Sequence, residues 1–306
     1  MTPSPADIDV AVLGSLNMDL VVRVPRAPEA GETLQAHALM TNPGGKGANQ
    51  AVACARMGAR VAMIGCIGAD DFGTQLRGVL QADSIDTAHV RVAGDTSGVA
   101  VIFVDDAGEN RIAIVPGANA LLSASDADTA SRVLSSARIT VLQFEVPMDA
   151  VERAAQIARA SGRRVLLNPA PVRAVPDSLW PMIDLLVLNE TEASALAGVP
   201  VDGVEAAKRA ADTLALRGPT TVILTLGAAG VVVSEVAGTR HVAAIPVETV
   251  DTTAAGDTFI GAVCASLVRG DDVDTAVNLA VRAAAVCVTR LGAQASIPYR
   301  RELRTA

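Results

Sequence analysis

The chain has 306 residues, a formal charge of −8, and a composition that is half hydrophobic. A chain of this length can bury a large core without disulfides or structural metals. The excess of acids, together with one Trp, one Tyr and four Phe, argues against a nucleic-acid-binding surface, which needs basic side chains and stacking aromatic rings.

Cysteine spacing and hydropathy indicate the compartment. The four cysteines form no CxxC pair, so we expect free buried thiols, as in a reducing compartment, and neither a disulfide framework nor a zinc site. The first residues lack a basic stretch before the apolar run, and no apolar run reaches the roughly 18 residues of a membrane span. We therefore expect a cytoplasmic protein with no membrane partner.

Short apolar runs alternate with longer amphipathic runs along the chain. Strands are predicted at 8–14, 61–68, 139–145, 165–168, 184–189, 221–227 and 231–235. Helices are predicted at 47–57, 72–83, 126–136, 148–161, 203–217, 257–269 and 272–288. This alternation, with strands rich in Val, Ile and Leu, predicts an α/β fold in which helices cover both faces of a mainly parallel sheet.

Two segments interrupt the alternation. Residues 20–45 contain Pro and Gly and show no helical period, and residues 98–119 read as a hairpin that turns at 105–108. Together they predict a small antiparallel sheet outside the main one. Such a sheet could be a lid over an active site or an edge that dimerises.

Polar side chains follow nearly every predicted strand. Each of them could be a helix cap or a turn residue, but ligands of open α/β sheets bind beyond the carboxyl ends of the strands. The pattern therefore predicts a ligand site at that edge of the sheet. The residues concerned are Asn17, Asp19, Glu145, Asn168, Asn189, Glu192, Thr225, Asp251 and Asp257.

The stretch DTTAAGDTFIGA, residues 251–262, places small residues between a predicted strand at 241–250 and a predicted helix. Free backbone N–H groups at a helix N-terminus suit an anion. A carboxylate there would repel a bare phosphate, so Asp257 is predicted to accept the proton of a nucleophile that attacks a phosphoryl group. Alternatively, Asp257 caps the helix and Gly256 is a turn residue.

The stretch NPGGKGANQAVACARMGA, residues 42–59, is rich in glycine but lacks the GxxxxGK[ST] pattern of a Walker site. Its glycines allow the backbone to approach a ligand closely before a helix begins. Lys46 and Asn49 could then hydrogen-bond the hydroxyls of a polyol. The alternative is a plain glycine-rich turn capped by Asn42.

These two stretches, with GSLNMD, GADDFG, LNPAP, NETEA, TLGAAG and TRLGAQASIP in the same order, resemble the ribokinase family of carbohydrate kinases, also called the PfkB family. The resemblance runs over essentially the whole chain. It implies a ribokinase-like three-layer α/β/α sandwich with a small β-sheet lid. It also implies one kinase domain over 1–306, a lid formed by about 17–45 and 96–119, and a homodimer through the lids.

The resemblance further implies transfer of the γ-phosphoryl group of ATP to the 5-hydroxyl of D-ribose, with Mg²⁺ and an activating monovalent cation, usually K⁺. Asp257 would be the base, and the backbone of Ala254, Ala255 and Gly256 would form the anion hole. The sugar-binding positions would be Asn17, Asp19, Gly45, Lys46, Asn49, Glu145 and Asp257. The nucleotide-binding positions would be Asn189, Thr225, Gly227, Gly230 and Gly256.

Two ion sites are implied in the same way. Glu192 would help to organise Mg²⁺ through water. The monovalent cation would be held, several times through backbone carbonyls, by Asp251, Thr253, Cys287, Arg290, Gly292 and Ser296. For Asp251 alone, an Asx-turn is the alternative.

The chain departs from the family pattern at Ile260, Val281 and Leu291, and the first two leave the nucleotide preference open. Another pentose, deoxyribose or a nucleoside is the alternative acceptor, although the polar residues and the scarcity of aromatic rings favour a free sugar. A non-catalytic sugar-binding regulator is the alternative from another functional class.

Overall fold

The structure is a computed structural model that describes residues 8–304. Within them the strands are β1 (Val10–Leu13), β2 (Asn17–Arg23), β3 (Ala38–Gly44), β4 (Val61–Ile67), β5 (Asp86–Val92), β6 (Gly98–Val104), β7 (Asn110–Val115), β8 (Ile139–Leu142), β9 (Arg164–Leu167), β10 (Leu185–Asn189), β11 (Thr221–Thr225), β12 (Val231–Glu235) and β13 (Gly238–Val242). The helices are α1 (Lys46–Arg56), α2 (Asp71–Ala82), α3 (Ala124–Thr129), α4 (Ser131–Ser136), α5 (Met148–Ala160), α6 (Glu190–Ala197), α7 (Val204–Ala215), α8 (Ala255–Arg269), α9 (Val273–Cys287) and α10 (Ala293–Ser296).

The main sheet has nine strands in the order β13-β12-β11-β10-β9-β8-β1-β4-β5. Seven of them are parallel, and β12 and β13 form an antiparallel edge. Strands β1, β4 and β8 are buried along their whole length. Continuous burial is what a parallel sheet covered on both faces requires, so the predicted class is confirmed.

Two apolar cores lie on opposite faces of the main sheet. Successive strand residues point to opposite faces: Ala11 and Leu13 join one core, and Val10 and Val12 join the other. Helices α3 to α7 cover the first face, and helices α1, α2, α8 and α9 cover the second. This arrangement is the predicted three-layer α/β/α sandwich.

The second sheet, called the small sheet below, has the order β3-β2-β6-β7. It was predicted to be antiparallel, and this is wrong at its centre, where β2 and β6 are parallel. Asn17 of β2 pairs with Gly98 of β6, so both strands begin at the body of the molecule and run outward together. The predicted hairpin of β6 and β7 is antiparallel, as expected.

Several element boundaries differ from the predictions. The strand predicted at 241–250 ends at Val242, because β13 pairs only with β12 across a tight hairpin and Pro246 then interrupts the segment. The helix predicted at 126–136 divides at Ala130 into α3 and α4. Strand β5 was missed because it lies at the sheet edge and carries polar residues, and helix α6 was missed because it has only eight residues.

Two expectations from composition can be compared with the described residues. All four cysteines are free and buried, as predicted. Across residues 8–304, none of the helices combines the length and the apolarity that a bilayer crossing requires.

Candidate active site

Asp257 lies in the first turn of α8 and is 8% exposed. The residue before this helix, Ala254, has φ of 60° and ψ of 9°, a left-handed conformation that is unfavourable for a residue with a Cβ. The N–H of Ala255 donates to the Thr252 carbonyl at 3.2 Å, whereas the N–H groups of Gly256 and Asp257 meet no acceptor among the described residues. The helix therefore presents two free amides beside the carboxylate.

Helix α1 holds the Asp257 carboxylate. Asn49 Nδ2 donates to Oδ2 at 3.0 Å, and Gln50 Nε2 donates to Oδ1 at 2.9 Å. The two helices cross closely at Gly261, where a Cβ would lie 2.3 Å from the Cβ of Ala53. This crossing brings two residues from the glycine-rich stretch onto an acid more than 200 positions later in the chain.

A second layer of amides lies behind Gln50. Gln50 Nε2 also donates to Asn168 Oδ1 at 3.2 Å, and Asn168 Nδ2 donates to the Val187 carbonyl at 3.0 Å. Gln143 Nε2 donates to Gln50 Oε1 at 2.5 Å. All three amide side chains are buried. Gln50 and Gln143 were not among the predicted site residues, and Asn168 was noted only as a polar residue at a strand end.

The small sheet supplies polar groups on one side of Asp257. Asn17 and Asp19 lie on β2, and both are buried. Asn119 Nδ2 donates to Asn17 Oδ1 at 2.7 Å, so a residue that sequence reasoning missed orients a predicted one. Gly45 precedes α1 with φ of 87°, and a Cβ there would lie 2.7 Å from the Asn17 amide nitrogen. Only glycine fits where α1 begins against β2.

Glu145, which follows β8, is the last of the predicted sugar-binding residues near Asp257. One of its oxygens, Oε2, accepts hydrogen bonds from Ser15 Oγ at 2.5 Å and from the backbone N–H of Lys46 at 3.0 Å. Ser15 was not predicted. These contacts join the ends of β1 and β8 to the start of α1. With the contacts described above, they form one group of neighbouring residues, called the polar pocket below: Asn17, Asp19, Gly45, Lys46, Asn49, Glu145 and Asp257.

Charge is concentrated in this polar pocket. Burial, reinforced by the charges of Glu145 and Asp257, raises the pKa of Asp19 to about 7. Burial alone would lower the pKa of Lys46, but the negative charges of Asp257, Glu145 and Glu192 outweigh it and raise that pKa. The ammonium group therefore stays charged, and Asp19 titrates near neutral pH.

An apolar cleft of about 470 Å³ adjoins the N-terminus of α8. Five predicted residues line it, namely Thr225, Gly227, Gly230, Ala255 and Gly256. Apart from threonine hydroxyls, its side chains are apolar. Ala228 also lines it and belongs to the loop 225–230 that the resemblance places at the nucleotide. Most of the other lining residues were not predicted: Val231, Ala244, Ile245, Pro246, Val247, Thr249, Thr252, Phe259, Ala284, Ala285 and Val288.

The three departures from the family pattern differ in position. Val281 lines the apolar cleft, so its side chain can contact a ligand there. Ile260 is buried in the core between the helices and is not among the lining residues. Leu291 is 71% exposed.

Asn189 and Glu192 form a reciprocal cap at the start of α6. Glu192 N donates to Asn189 Oδ1 at 2.9 Å, and Asn189 N donates to Glu192 Oε2 at 3.0 Å. Burial raises the pKa of Glu192. Asn189 pairs in register with Thr225 of the cleft but does not itself line it. Within residues 8–304, no group of three or more His, Cys, Asp or Glu side chains is placed to hold a metal.

The residues predicted around a monovalent cation also converge. Asp251 Oδ1 accepts from the Thr253 N–H at 2.9 Å, and Oδ2 accepts from the Gly292 N–H at 2.9 Å. Burial opposes the charge of Asp251, but a hydrogen bond from the Thr253 hydroxyl and these two from backbone N–H groups outweigh it and lower its pKa. Cys287 Sγ lies 3.1 Å from Ser296 Oγ. The structure thus joins the 251–253 loop to the segment after α9.

Arg290 is placed differently from its neighbours in this group. Its guanidinium donates to Glu302 Oε1 at 2.7 Å, so the side chain points toward the C-terminal segment. Only the backbone carbonyl of Arg290 is therefore available to a cation.

The residues that sequence reasoning missed have one feature in common. Each hydrogen-bonds to a predicted site residue or to another missed residue; they are Gln50, Gln143, Asn119 and Ser15. The adjacent pair Asn49-Gln50 in the GANQ stretch was the available signal, because consecutive amides at the start of a helix can reach one acceptor.

Residues 7–300 match the family described as pfkB family carbohydrate kinase. The chain is 42% identical to a ribokinase of Haemophilus influenzae over 294 residues, which is 96% of both proteins. It is 40% identical to a deoxyribokinase of Salmonella typhi over 293 residues, which is 95% of this chain and 96% of the relative. Its fold matches that of an Arabidopsis thaliana ribokinase solved with ribose and ATP, with a TM-score of 0.90, 32% identity and 97% of each chain covered. From its sequence and its fold, the chain belongs to the pfkB family of carbohydrate kinases.

Proposed function

We propose that this sugar kinase transfers the γ-phosphoryl group of ATP to the 5-hydroxyl of D-ribose. The observation that carries the proposal is the position of Asp257. Its carboxylate contacts Asn49 and Gln50 in the polar pocket, and the residue before it, Gly256, lines the apolar cleft and has a free amide. A sugar and a nucleotide bound in these two spaces would meet at this carboxylate.

In the proposed step, the 5-hydroxyl oxygen attacks the γ-phosphorus and its proton passes to Asp257. A bond forms between that oxygen and phosphorus, and the bond from phosphorus to the bridging oxygen of ADP breaks. A positioned base contributes about 10²–10⁴-fold to such a rate. The anion hole is proposed at Ala254, Ala255 and Gly256. Because the N–H of Ala255 donates to the Thr252 carbonyl, the free N–H of Gly256 is the donor available to the phosphoryl oxygens. A donor of this kind is worth about 10²–10³-fold.

The polar pocket is proposed to bind the sugar through Asn17, Asp19, Gly45, Lys46, Asn49 and Glu145. Carboxylates accept from hydroxyls, whereas Lys46 and Asn49 can donate to them. Asn49 Oδ1 is buried and lacks a hydrogen-bond partner among the described residues. Leaving such an atom unpaired costs about 1–3 kcal/mol, so a sugar hydroxyl that donates to it would gain affinity.

The apolar cleft is proposed to bind the nucleotide base and ribose. Thr225, Gly227, Gly230 and Gly256 line it, and Asn189 stands at its edge. Mg²⁺ would neutralise charge on the phosphates when bound. Glu192 already accepts hydrogen bonds on both oxygens, so its remaining lone pairs suit a contact with the ion through water.

A monovalent cation is proposed beside the anion hole, held by Asp251 and by oxygens of Thr253, Cys287, Arg290, Gly292 and Ser296. A hard cation such as K⁺ prefers a shell of carbonyl and carboxylate oxygens. Asp251 already closes the loop that leads into α8. A bound ion would further fix this loop and the amides that follow it.

A homodimer through the small sheets is also proposed. Met40, Val21, Ile102 and Ile112 lie in one row across the four strands, on the same face as Asp19. Met40 and Ile112 are 44% and 56% exposed. An exposed apolar row on the face that covers the site suits contact with a second copy.

We also propose a cytoplasmic location, because free, buried cysteines fit a reducing compartment.

Deoxyribose is the second candidate acceptor, because a relative at 40% identity is a deoxyribokinase. Ribose and deoxyribose share the 5-hydroxyl and differ at the 2-hydroxyl, so both fit the proposed step. A purely sugar-binding regulator is disfavoured, since Asp257 and both free amides are in place.

The proposal is tested by measuring ADP release from ATP and Mg²⁺ with ribose, deoxyribose, other pentoses and nucleosides, each in K⁺ and in Na⁺. We expect the highest kcat/KM with ribose and a higher rate in K⁺. A preference for deoxyribose would replace the acceptor and keep the mechanism. Binding of a sugar without ADP release would contradict the proposal.

A further inference from the structure

The hydrogen bonds that end at Asp257 have a fixed direction. The Val187 carbonyl can only accept, so the atom of Asn168 that lies 3.0 Å from it must be the Nδ2 donor. Asn168 Oδ1 then necessarily faces Gln50, at 3.2 Å. The main chain of β10 thereby sets the orientation of a buried amide beside the site.

The orientation of Gln50 is fixed in the same way. Since Asn168 presents an acceptor, Gln50 must present its Nε2 group, and the second hydrogen of that group points to Asp257 Oδ1 at 2.9 Å. On its other side, Gln50 Oε1 accepts from Gln143. A Cβ at Gly14 would lie 2.0 Å from Gln143 Oε1, so the end of β1 leaves room for this amide.

Burial makes this arrangement rigid. Gln50 and Gln143 are 0% exposed and Asn168 is 7% exposed. A flipped Gln50 would direct an oxygen at both Asp257 and Asn168, leaving several buried polar atoms unpaired at about 1–3 kcal/mol each. Only one orientation of Gln50 satisfies its neighbours.

The consequence for Asp257 is that both of its oxygens accept a hydrogen bond, one from Asn49 and one from Gln50. Hydrogen bonds to the ionised form of a carboxyl favour that form. The negative charges of Asp19 and Glu192 oppose these hydrogen bonds, whereas the positive charge of Lys46 acts with them. The Cys287 thiol is also within electrostatic reach of Asp257.

We propose that Gln50, oriented through Asn168 by the Val187 carbonyl, is a positioning residue that keeps Asp257 ionised and aimed at the acceptor hydroxyl. This inference rests on the proposed role of Asp257 as base, and it adds a device that no substrate contacts. A merely structural Gln50 would support the crossing of α1 and α8 without affecting the charge of Asp257.

The first test is Gln50→Met, which keeps the length of the side chain and removes the donor. We expect kcat/KM for the sugar to fall about 10- to 100-fold, the range for one hydrogen bond to a charged group. We also expect the acid limb of its pH profile to move to higher pH by roughly one unit. Asn168→Leu should change both quantities in the same direction and by less, because Gln50 loses one of the contacts that orient it while Gln143 still donates to its Oε1.

The matched control is Thr140→Val, which removes a buried and unpaired hydroxyl on β8 that is not part of this network. It should leave the pH profile unchanged. If Gln50→Met lowers the melting temperature and the rate while the acid limb stays in place, the role of Gln50 is structural and the proposal is wrong.

The background of Asp257→Asn separates this inference from the proposed function. If Asp257 is the base and Gln50 acts through it, adding Gln50→Met to Asp257→Asn should change the residual rate less than threefold. A further 10-fold loss would overturn the positioning role. A single Asp257→Asn variant with nearly normal turnover would instead overturn the base itself.

Discussion

A Cβ atom on Gly44 would lie 2.2 Å from Oδ2 of Asp19. Gly44 ends β3 and Asp19 lies on β2, so the pairing of these two strands places the carboxylate directly over a backbone that lacks a side chain. The position of Asp19 in the polar pocket therefore depends on a glycine in the neighbouring strand.

Gly44→Ala is expected to displace the Asp19 carboxylate, because backbone pairing prevents the strand from moving away. The KM for the sugar should rise about 10-fold, the cost of roughly one lost hydrogen bond to a charged group, with a smaller change in kcat. Steady-state kinetics check this. Gly78→Ala, where a Cβ would meet nothing, is the control. An unchanged KM in Gly44→Ala would show that Asp19 does not bind the sugar.

Asp19 should also make stability depend on pH. Burial raises its pKa from an ordinary value of 3.8 to about 7 in the folded protein. Between these values the folded protein keeps a proton that the unfolded chain has released, so the free energy of unfolding falls as the pH rises from about 4 to 7.

Asp19→Asn removes this titration. The variant should match the native protein near pH 4 and exceed its free energy of unfolding above pH 7 by roughly 2–4 kcal/mol. Urea unfolding across this range measures the difference. A difference that does not change with pH would show that the Asp19 carboxyl is not buried as described.

Two glycines of α8 should respond in opposite ways to alanine. A Cβ at Gly256 meets nothing, because the residue borders the apolar cleft, whereas a Cβ at Gly261 would lie 2.3 Å from Ala53 Cβ. Gly256→Ala should keep or raise the melting temperature and lower kcat about 10-fold by obstructing the anion hole. Gly261→Ala should lower the free energy of unfolding by about 1–3 kcal/mol.

Calorimetry and ADP release on both variants check this pair. Each variant is the control for the other, since the same substitution is made in the same helix. Normal turnover in Gly256→Ala would contradict the anion hole.

The proposed dimer predicts that a charge in the apolar row of the small sheet separates the subunits. Ile112→Glu should lower the mass of the protein in solution from that of two chains to that of one chain. Val236→Glu, at a position 98% exposed in the turn between β12 and β13, should not. Sedimentation over a range of protein concentrations measures this, and a monomeric native protein would contradict the dimer.

Most of the layering could be predicted from the sequence, because β1, β4 and β8 are buried on both faces and carry no polar signal that conflicts with a parallel sheet. The edges were less predictable. Strand β5 alternates polar with apolar residues, and 243–250 is apolar because it lines a cleft, not because it pairs in a sheet. Hydrophobicity alone does not distinguish these two causes.

The candidate site was predictable where residues of one stretch act together, as in the loop that leads to Asp257. It was not predictable where the contacts cross the chain. Gln143 and Asn168 reach Gln50 over separations of 93 and 118 residues, and Asn119 reaches Asn17 over 102. Such pairings follow from how β8, β9 and α1 are stacked, and no local pattern encodes them.

If Asp257 is the base of a phosphoryl transfer to a sugar, its loss should slow turnover without weakening sugar binding. Two quantities should be measured in the variant Asp257→Asn: kcat with saturating ribose and ATP, and the Kd for ribose by calorimetry. We predict a fall in kcat of about 10²–10⁴-fold with a Kd within roughly threefold of the native value, because the other polar groups of the pocket remain. A kcat close to the native value would contradict the account.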